Sequence, residues 1–339
     1  MTDTHLTAPT RFVEVKGDRF AYRRWGSGES GQPPLFFLQH FRGGMDHWDP
    51  LTTDGLAAGR EVILYDYRGC ASSTGAPRTL IEEMADDAAE VIRALSLSKV
   101  DVVGFSLGGM VAQELTRRHP DLVRKLMLLG TQPRGGNPDP DPKIFEVAPR
   151  PVPSVDDFLF LFFGPSEAAK QAGRDFWQRR HQRKDQDPPS SPELMQAQIA
   201  ANTAFVAPLD PERPFAHLSE ITQPTLVVNG VNDVMIATIN SWHLVQSIPN
   251  CDNTGNLFVT DTKNYKIRKI TSAGVVTTIA GAGTSGNTNG PAATAQFGFP
   301  TGIAVALNGD IFITEFNTHT IRKLSAGIVS TLADRKSVV

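Results

Sequence analysis

Val102-Val103-Gly104-Phe105-Ser106-Leu107-Gly108-Gly109 is the stretch that decides the fold. An apolar β-branched run, Val100–Gly104, leads into a serine flanked by glycines, and a helical pattern over Leu107–Arg118 follows until Pro120 stops it. A G-x-S-x-G at a strand-to-helix turn holds a serine hydroxyl above the strand ends, at the positive end of the next helix. The glycines are needed because strand and helix backbones meet too closely there for a Cβ. Ser106 is therefore the first candidate for a nucleophile.

Outward from this turn, strand-like and helix-like patterns alternate, which predicts an α/β fold with a mostly parallel sheet. Phe12–Lys16 and Phe20–Trp25 read as an opening antiparallel pair. Leu35–Gln39, Glu61–Tyr65, Val100–Gly104, Lys125–Leu129 and Thr225–Val228 read as central strands, several without polar alternation because both faces are covered. Thr79–Leu97 reads as a helix, with Thr79 and Glu82 at capping-box spacing. From about residue 132 to 220 the alternation lapses into turn-rich sequence around helical pieces such as Val155–Phe163 and Pro192–Phe205. An insertion of that length between two strands is expected to form a helical cap. Within it, Arg174–Asp187 mixes five Arg or Lys with three Asp and reads as a solvated helix face.

With these pieces placed, residues 12–250 resemble the α/β-hydrolase fold family of serine hydrolases. The resemblance rests on the serine turn, on Leu38-Gln39-His40-Phe41-Arg42-Gly43-Gly44 where the family has its oxyanion loop, and on two later segments. Asp66-Tyr67-Arg68-Gly69-Cys70-Ala71-Ser72-Ser73 matches a D-x-R-G-x-G-x-S pattern with Ala71 in place of a glycine. Asn229-Gly230-Val231-Asn232-Asp233 matches the G-x-x-D that supplies the family's acid. The resemblance implies Ser106 as nucleophile and Asp233 as the acid that orients an imidazole. It implies an oxyanion hole from the backbone N–H groups of Leu107 and of Arg42 or Phe41. His40 reads as a loop-bracing residue, since the oxyanion donors are backbone groups. A serine rather than an aspartate nucleophile favours cleavage of a carboxylic ester or related acyl bond over epoxide or haloalkane chemistry.

The family places its histidine in a loop after the acid. Only His243 and His319 follow Asp233. His243 falls in a helical stretch expected to pack on the sheet flank, and His319 in the differently built last part of the chain. Each is a weak candidate for the base, so the triad reads as incomplete and the enzyme as impaired. The rival reading is a catalytically dead pocket or binding protein.

Composition changes near residue 250. All 7 Met, all 4 Trp and 22 of 24 Pro precede it, whereas the last 89 residues hold as many Thr as the first 250. Gly255–Thr271 aligns with Gly309–Ser325, and Ala273–Ala280 with Ala326–Ala333. Short β-branched repeats of this kind read as propeller blades, and they are similar to NHL-repeat β-propellers. The expected organisation is an α/β-hydrolase domain over 1–250, truncated before its last strand and helix, followed by an all-β partial propeller of about two blades over 251–339. A propeller closes with about four to eight blades, so the chain reads as a chimera of two fragments meeting at Asn250/Cys251. Protein contact through the NHL-like strands is an expectation of that reading.

At 339 residues the chain is long enough for two domains. A net charge of −3 gives no basic field for nucleic acid or an anionic membrane. Cys70 and Cys251 are too few for a disulfide framework, and Met1–Thr10 has no apolar signal core. A cytoplasmic protein acting on a small acyl or ester substrate, without cofactor or metal, is the expectation.

Overall fold

Leu35–Leu38 (β3) and Val62–Tyr65 (β4) are buried at every residue, and that double burial makes them the middle of a sheet rather than its rim. In this computed structural model the described residues are 3–28, 31–136, 140–150, 154–230, 233–249, 251, 257–270, 275–305 and 309–334. They fall into two compact units, Met1–Pro249 and Asn250–Val339.

The first unit is built on a seven-stranded sheet. Arg11–Val15 (β1), Asp18–Trp25 (β2), β3, β4, Val100–Phe105 (β5), Val123–Leu129 (β6) and Thr225–Val228 (β7) lie in the order β1-β2-β4-β3-β5-β6-β7. β1, β2 and β4 pair antiparallel, and from β4 onward the sheet is parallel. The chain leaves β3 toward β4 on one side and returns to β5 on the other. This reversal puts the loops after β3 and β5 side by side at the carboxyl edge, where open α/β sheets carry their sites. Helices Pro50–Ala57 (α1), Ile81–Ala94 (α2) and Leu107–Arg118 (α3) connect the strands. Ala21, Trp25, Leu35, Phe37, Met45 and Val103 are among the residues of the buried apolar core.

α2 starts two residues later than its pattern predicts. Leu80 is the N-cap and offers no side-chain bond, so the expected Thr79–Glu82 capping box does not form. Glu82 is instead drawn to the buried guanidinium of Arg134, a partner the local sequence does not reveal. Elsewhere helix starts follow local chemistry. Ser154 and Asp157 close a reciprocal cap on Val155–Phe162 (α5), and the Ser191 hydroxyl accepts from the Leu194 N–H at the head of Pro192–Val206 (α7).

These two helices, with Ile144–Val147 (α4) and Glu167–Arg180 (α6), form the cap between β6 and β7. The reading of Arg174–Asp187 as a solvated face holds for Asp175, Gln178, Lys184 and Asp185, which are exposed, and is corrected at Arg183 and Asp187. α6 ends at Arg180, and the Arg183 and Asp187 side chains beyond it are only 4% and 7% exposed. The cause lies on β2. Arg23 is buried there, and its guanidinium pairs with Asp46 after β3 and with Asp187 of the cap at 2.8 Å. A buried cation requires anions around it, so the acid of the cap is pulled inward. Arg183 follows, donating to the His5 and Ala8 carbonyls at 3.0 and 2.8 Å. The chain closes the unit with Ile239–Ser247 (α8) after β7.

The second unit contains two antiparallel sheets. One holds Leu257–Asp261 (β8), Lys266–Ile270 (β9) and Val276–Ala280 (β10). The other holds Gly290–Pro291 (β11), Pro300–Val305 (β12), Ile311–Glu315 (β13), Thr320–Ser325 (β14) and Ile328–Asp334 (β15). The sequence repeat appears as a repeated meander, with β8-β9-β10 equivalent to β13-β14-β15. Even the charges repeat: Arg268 pairs with Asp261 at 2.9 Å and Arg322 with Glu315 at 3.0 Å. One apolar core, including Ile267, Ala280, Phe297, Ile313 and Val329, joins both sheets. Cys70 and Cys251 are buried. Among the described residues no helix is long and apolar enough to cross a membrane.

Arg23→Met strands Asp46 and Asp187 in the interior without their cation. The expected loss is about 3–5 kcal/mol at neutral pH, read by urea unfolding. Asp187→Asn added to that variant is expected to recover part of it, because one buried charge is then gone.

Candidate active site

Ser106 sits between the last residue of β5 and the first of α3, with φ 54° and ψ −120°. This is a sparsely populated conformation for a side chain with a Cβ, and it persists only where the surroundings enforce it. They do so by contact. A Cβ on Gly104 would lie 2.4 Å from the Gly108 carbonyl oxygen, and one on Gly108 would lie 2.1 Å from that of Leu38. α3 therefore runs against both its own strand and the end of β3. The Ser106 N–H donates to the Leu129 carbonyl at 2.9 Å, and the Thr131 hydroxyl donates to the Ser106 carbonyl at 2.7 Å. Ser106 itself is half-buried.

Asp233 follows β7. Its Oδ1 accepts from the N–H groups of Met235 (2.8 Å) and Ile236 (3.0 Å), a tight turn made by its own side chain. Its Oδ2 has no hydrogen-bond partner among the described residues and faces Gly130. A Cβ on Gly130 would lie 3.6 Å from that oxygen and 3.2 Å from the Phe105 ring. The acid thus comes to the ring that precedes Ser106. Burial pushes its carboxyl pKa above the ordinary range, more than the two N–H bonds pull it down.

The loop after β3 is pinned from both ends. His40 is half-buried, with Nδ1 2.8 Å from the Phe41 carbonyl, and its ring packs near Phe105, Phe162 and His47. Burial lowers its pKa to about 4. His47 Nδ1 accepts from the Gly44 N–H at 2.6 Å. Arg42 has φ 59°, and its N–H donates to Gln198 of α7 at 2.7 Å. Its guanidinium reaches Ser190 and the carbonyls of Ala148 and Arg150. In this arrangement Arg42 ties the loop to the cap. The N–H groups of Leu107 and Phe41 donate to no acceptor among the described residues.

His243 lies on α8 with its ring stacked on Phe215, the centroids 4.3 Å apart. Burial lowers its pKa. His319 lies in the second unit, in the turn from β13 to β14, with φ 52° and its ring beside Phe316. Among the described residues of the first unit no histidine nitrogen is hydrogen-bonded to Ser106 or Asp233. His5 is held by Thr53, His119 by Asp86 and His181 by the Trp177 carbonyl. Arg68 and Ser73 of the D-x-R-G segment are structural. Arg68 pairs with Asp87 and Asp18, and the Ser73 hydroxyl donates to the Asp66 carbonyl. Among the described residues no cluster of three or more His, Cys, Asp or Glu could hold a metal ion. Sequence reasoning missed Gln198, whose apolar helical surroundings gave no signal. It also missed the Arg23–Asp46–Asp187 cluster, for which the charge run in the cap was the available clue.

Comparison with known proteins matches this geometry. A model of the alpha/beta hydrolase fold family fits residues 33–261, which runs past Pro249 into β8. An alpha/beta hydrolase fold protein from Chitinophaga pinensis is 35% identical with a TM-score of 0.64, over 73% of this chain and 88% of its own. Est816, an N-acyl homoserine lactone degrading enzyme, is 25% identical with a TM-score of 0.51, over 71% and 89%. RutD of Caulobacter vibrioides, provisionally assigned as a carbamate hydrolase, is 27% identical over 245 residues, 69% of this chain and 86% of RutD. The family match covers well over half of the sequence, and it falls on the sheet and turn described above: the chain belongs to the alpha/beta hydrolase fold family.

Proposed function

We propose that the first unit is a serine hydrolase acting on carboxylic esters or related acyl bonds, with Ser106 as nucleophile and Asp233 as its acid, and that it is impaired for want of a base. The observation that carries this reading is the enforced φ of 54° at Ser106, at the head of α3. Packing that excludes any Cβ at Gly104 and Gly108 holds the residue there against its own preference. The Leu107 N–H is the first oxyanion donor. Phe41 is the better second donor, because Gln198 already takes the Arg42 N–H. Carbamates for RutD and lactones for Est816 share attack at a carbonyl carbon with esters, which supports an acyl substrate.

As Ser106 Oγ attacks, its proton must pass to a base. Among the described residues no histidine nitrogen of the first unit is hydrogen-bonded to Ser106 or Asp233, and a paired imidazolium would lower the Asp233 pKa where burial now raises it. β7 is the last strand of the sheet order, with Val228 37% exposed, and the unit ends soon after α8. Both facts favour a hydrolase core without a supplied base. The second unit is read as part of an NHL-type propeller able to contact a protein through its strand edges, and the chain as a chimera. The repeated meanders with their repeated Arg–acid pairs support this. Long reads of the source locus across codons 240–260 are expected to show a rearrangement breakpoint. An intact, uninterrupted junction there would remove mis-assembly of the sequence as the origin of the chimera.

A fluorophosphonate probe is expected to label wild type weakly and Ser106→Ala not at all. Hydrolysis of 4-nitrophenyl butyrate should be slow, within the residual ~10³–10⁴-fold over water that oxyanion stabilisation and binding alone support. Added imidazole supplies the missing base, so Ser106-dependent turnover should rise with its concentration, with Ser106→Ala as the blank. Loss of the imidazole-free turnover in His243→Ala or His319→Ala would show a recruited histidine instead.

Asp233→Asn separates stability from chemistry. A carboxyl whose pKa is raised by folding contributes stability below its unfolded value, and loses it as pH climbs through the folded value. Asp233 therefore costs stability at neutral pH, while Asn keeps the acceptor for Met235 and Ile236. Thermal unfolding should show Asp233→Asn more stable than wild type at pH 7, with the gap closing toward about pH 4.

A further inference from the structure

The end of α6 places a cation that no protein oxygen among the described residues receives by hydrogen bond. Arg180 lines a cavity of about 220 Å³ between residues 180–190 of the cap and the loops after β3 and β4, beside Gly44, His47 and Ala71. Its guanidinium lies over the rings of Trp177 (5.3 Å) and Phe158 (5.6 Å). Among the described residues no oxygen accepts a hydrogen bond from it. The neighbouring cations are matched. Arg23 holds Asp46 and Asp187, Arg179 holds Asp49, Arg183 reaches two carbonyls, and Arg42 reaches Ser190 and two more. Of the two carboxylates that line the cavity, Asp46 is held by Arg23 and the Asp187 N–H, and Asp187 holds Arg23 through Oδ1 while its buried Oδ2 has no hydrogen-bond partner among the described residues. Desolvation lowers the Arg180 pKa to about 10, well above neutrality, so it remains a guanidinium. Its field is among the causes that suppress protonation of His40 and His47 in the loop after β3.

A wall of rings joins this cation to the serine turn. Phe158 packs on Phe162 (centroids 5.2 Å apart), and Phe162 on Phe105 (6.0 Å) and His40 (5.6 Å). Phe105 immediately precedes Ser106. One cluster of packed rings therefore touches the half-buried guanidinium of Arg180 at one end and the residue before Ser106 at the other. Of the simple anions, a carboxylate matches the planar fork of Arg, and one borne on an apolar chain suits the ring cluster beside it.

We propose that this cavity is an anion subsite, in which Arg180 receives a carboxylate carried by the substrate. The proposal rests on the hydrolase reading for its link to Ser106, but carboxylate binding itself does not. The substrate class that follows is a half-ester or similar acyl compound with a free carboxylate at the far end of a short apolar chain.

The test is equilibrium binding of glutarate and of its uncharged counterpart glutaramide to the full chain at pH 7, by calorimetry. Wild type and Ser106→Ala should both bind glutarate at least tenfold more tightly than glutaramide. Arg180→Gln should lose tenfold or more for glutarate while leaving glutaramide unchanged. Equal binding of the two compounds by wild type, or glutarate binding untouched in Arg180→Gln, overturns the proposal. The wild-type comparison decides even where Arg180→Gln does not fold, and Arg180→Lys, which keeps the charge, should retain the preference for glutarate. A second arm compares 4-nitrophenyl hemiglutarate with 4-nitrophenyl valerate. Arg180→Gln should raise KM for the first alone. Failure of all fluorophosphonate labelling would remove the hydrolase reading, and the glutarate result would still decide the subsite.

Discussion

The backbone of α3 passes so close to the end of β3 that a single carbon added at Gly108 would lie 2.1 Å from the Leu38 carbonyl oxygen. The arrangement of the first unit follows from that approach. It fixes where the helix starts, forces Ser106 to a positive φ, and brings the loop after β3 against the serine turn. Strain of this kind costs of order 1–3 kcal/mol. It is held by the Leu129 carbonyl on one side and the Thr131 hydroxyl on the other, so β6 takes part as well as β3 and β5. The strand order places β3 and β6 on the two flanks of β5. Sheet topology and site geometry are one constraint seen at two scales.

The cap obeys a different force. Arg23 on β2 gathers Asp46 and Asp187 across a sequence separation of up to 164 residues. Buried ion pairs of this sort add little net stability compared with an apolar replacement, yet breaking one is costly. In this fold the cluster acts as a locator, drawing the Arg183 and Asp187 side chains beneath the surface while Arg42 and Gln198 tie the loop after β3 to α7. Once the acids are committed to Arg23, the guanidinium at the end of α6 is left without one. The cap is therefore positioned by charge on one side and left charged on the other.

What the sequence made legible was whatever is decided within a few residues. The serine turn, the strands to within a residue or two, the serine-capped helices α5 and α7 and the repeated meanders all depend on neighbours in the chain. Within the Arg174–Asp187 run, Asp187 departs from a solvated face because the partner that buries it lies on β2, and a charged residue looks solvated until its distant counter-charge is known. The Thr79–Glu82 cap failed for the same reason, since Arg134 stands 52 residues away from Glu82. The repeat shows both sides of this. Sequence equivalence carries over the pair Arg268–Asp261 to Arg322–Glu315, but not its environment. The first pair is 28% and 25% exposed, the second fully buried, because Asn289 and the carbonyls of Thr288 and Gln296 close over Arg322 alone.

The two residues proposed for chemistry hold their places for independent reasons. Ser106 is set by glycine packing between α3 and β3, and Asp233 by a turn closed with its own Oδ1 onto Met235 and Ile236. Neither anchor uses an imidazole. A hydrolase core of this design keeps its nucleophile and its acid in register whether or not a base is present, because the base is positioned by the acid and not the reverse. The signature of a base at work is instead electrostatic: a cation beside Asp233 would hold its carboxyl ionised, and burial here drives it the other way. Intact geometry around Ser106 is therefore evidence of the family and not of a complete triad.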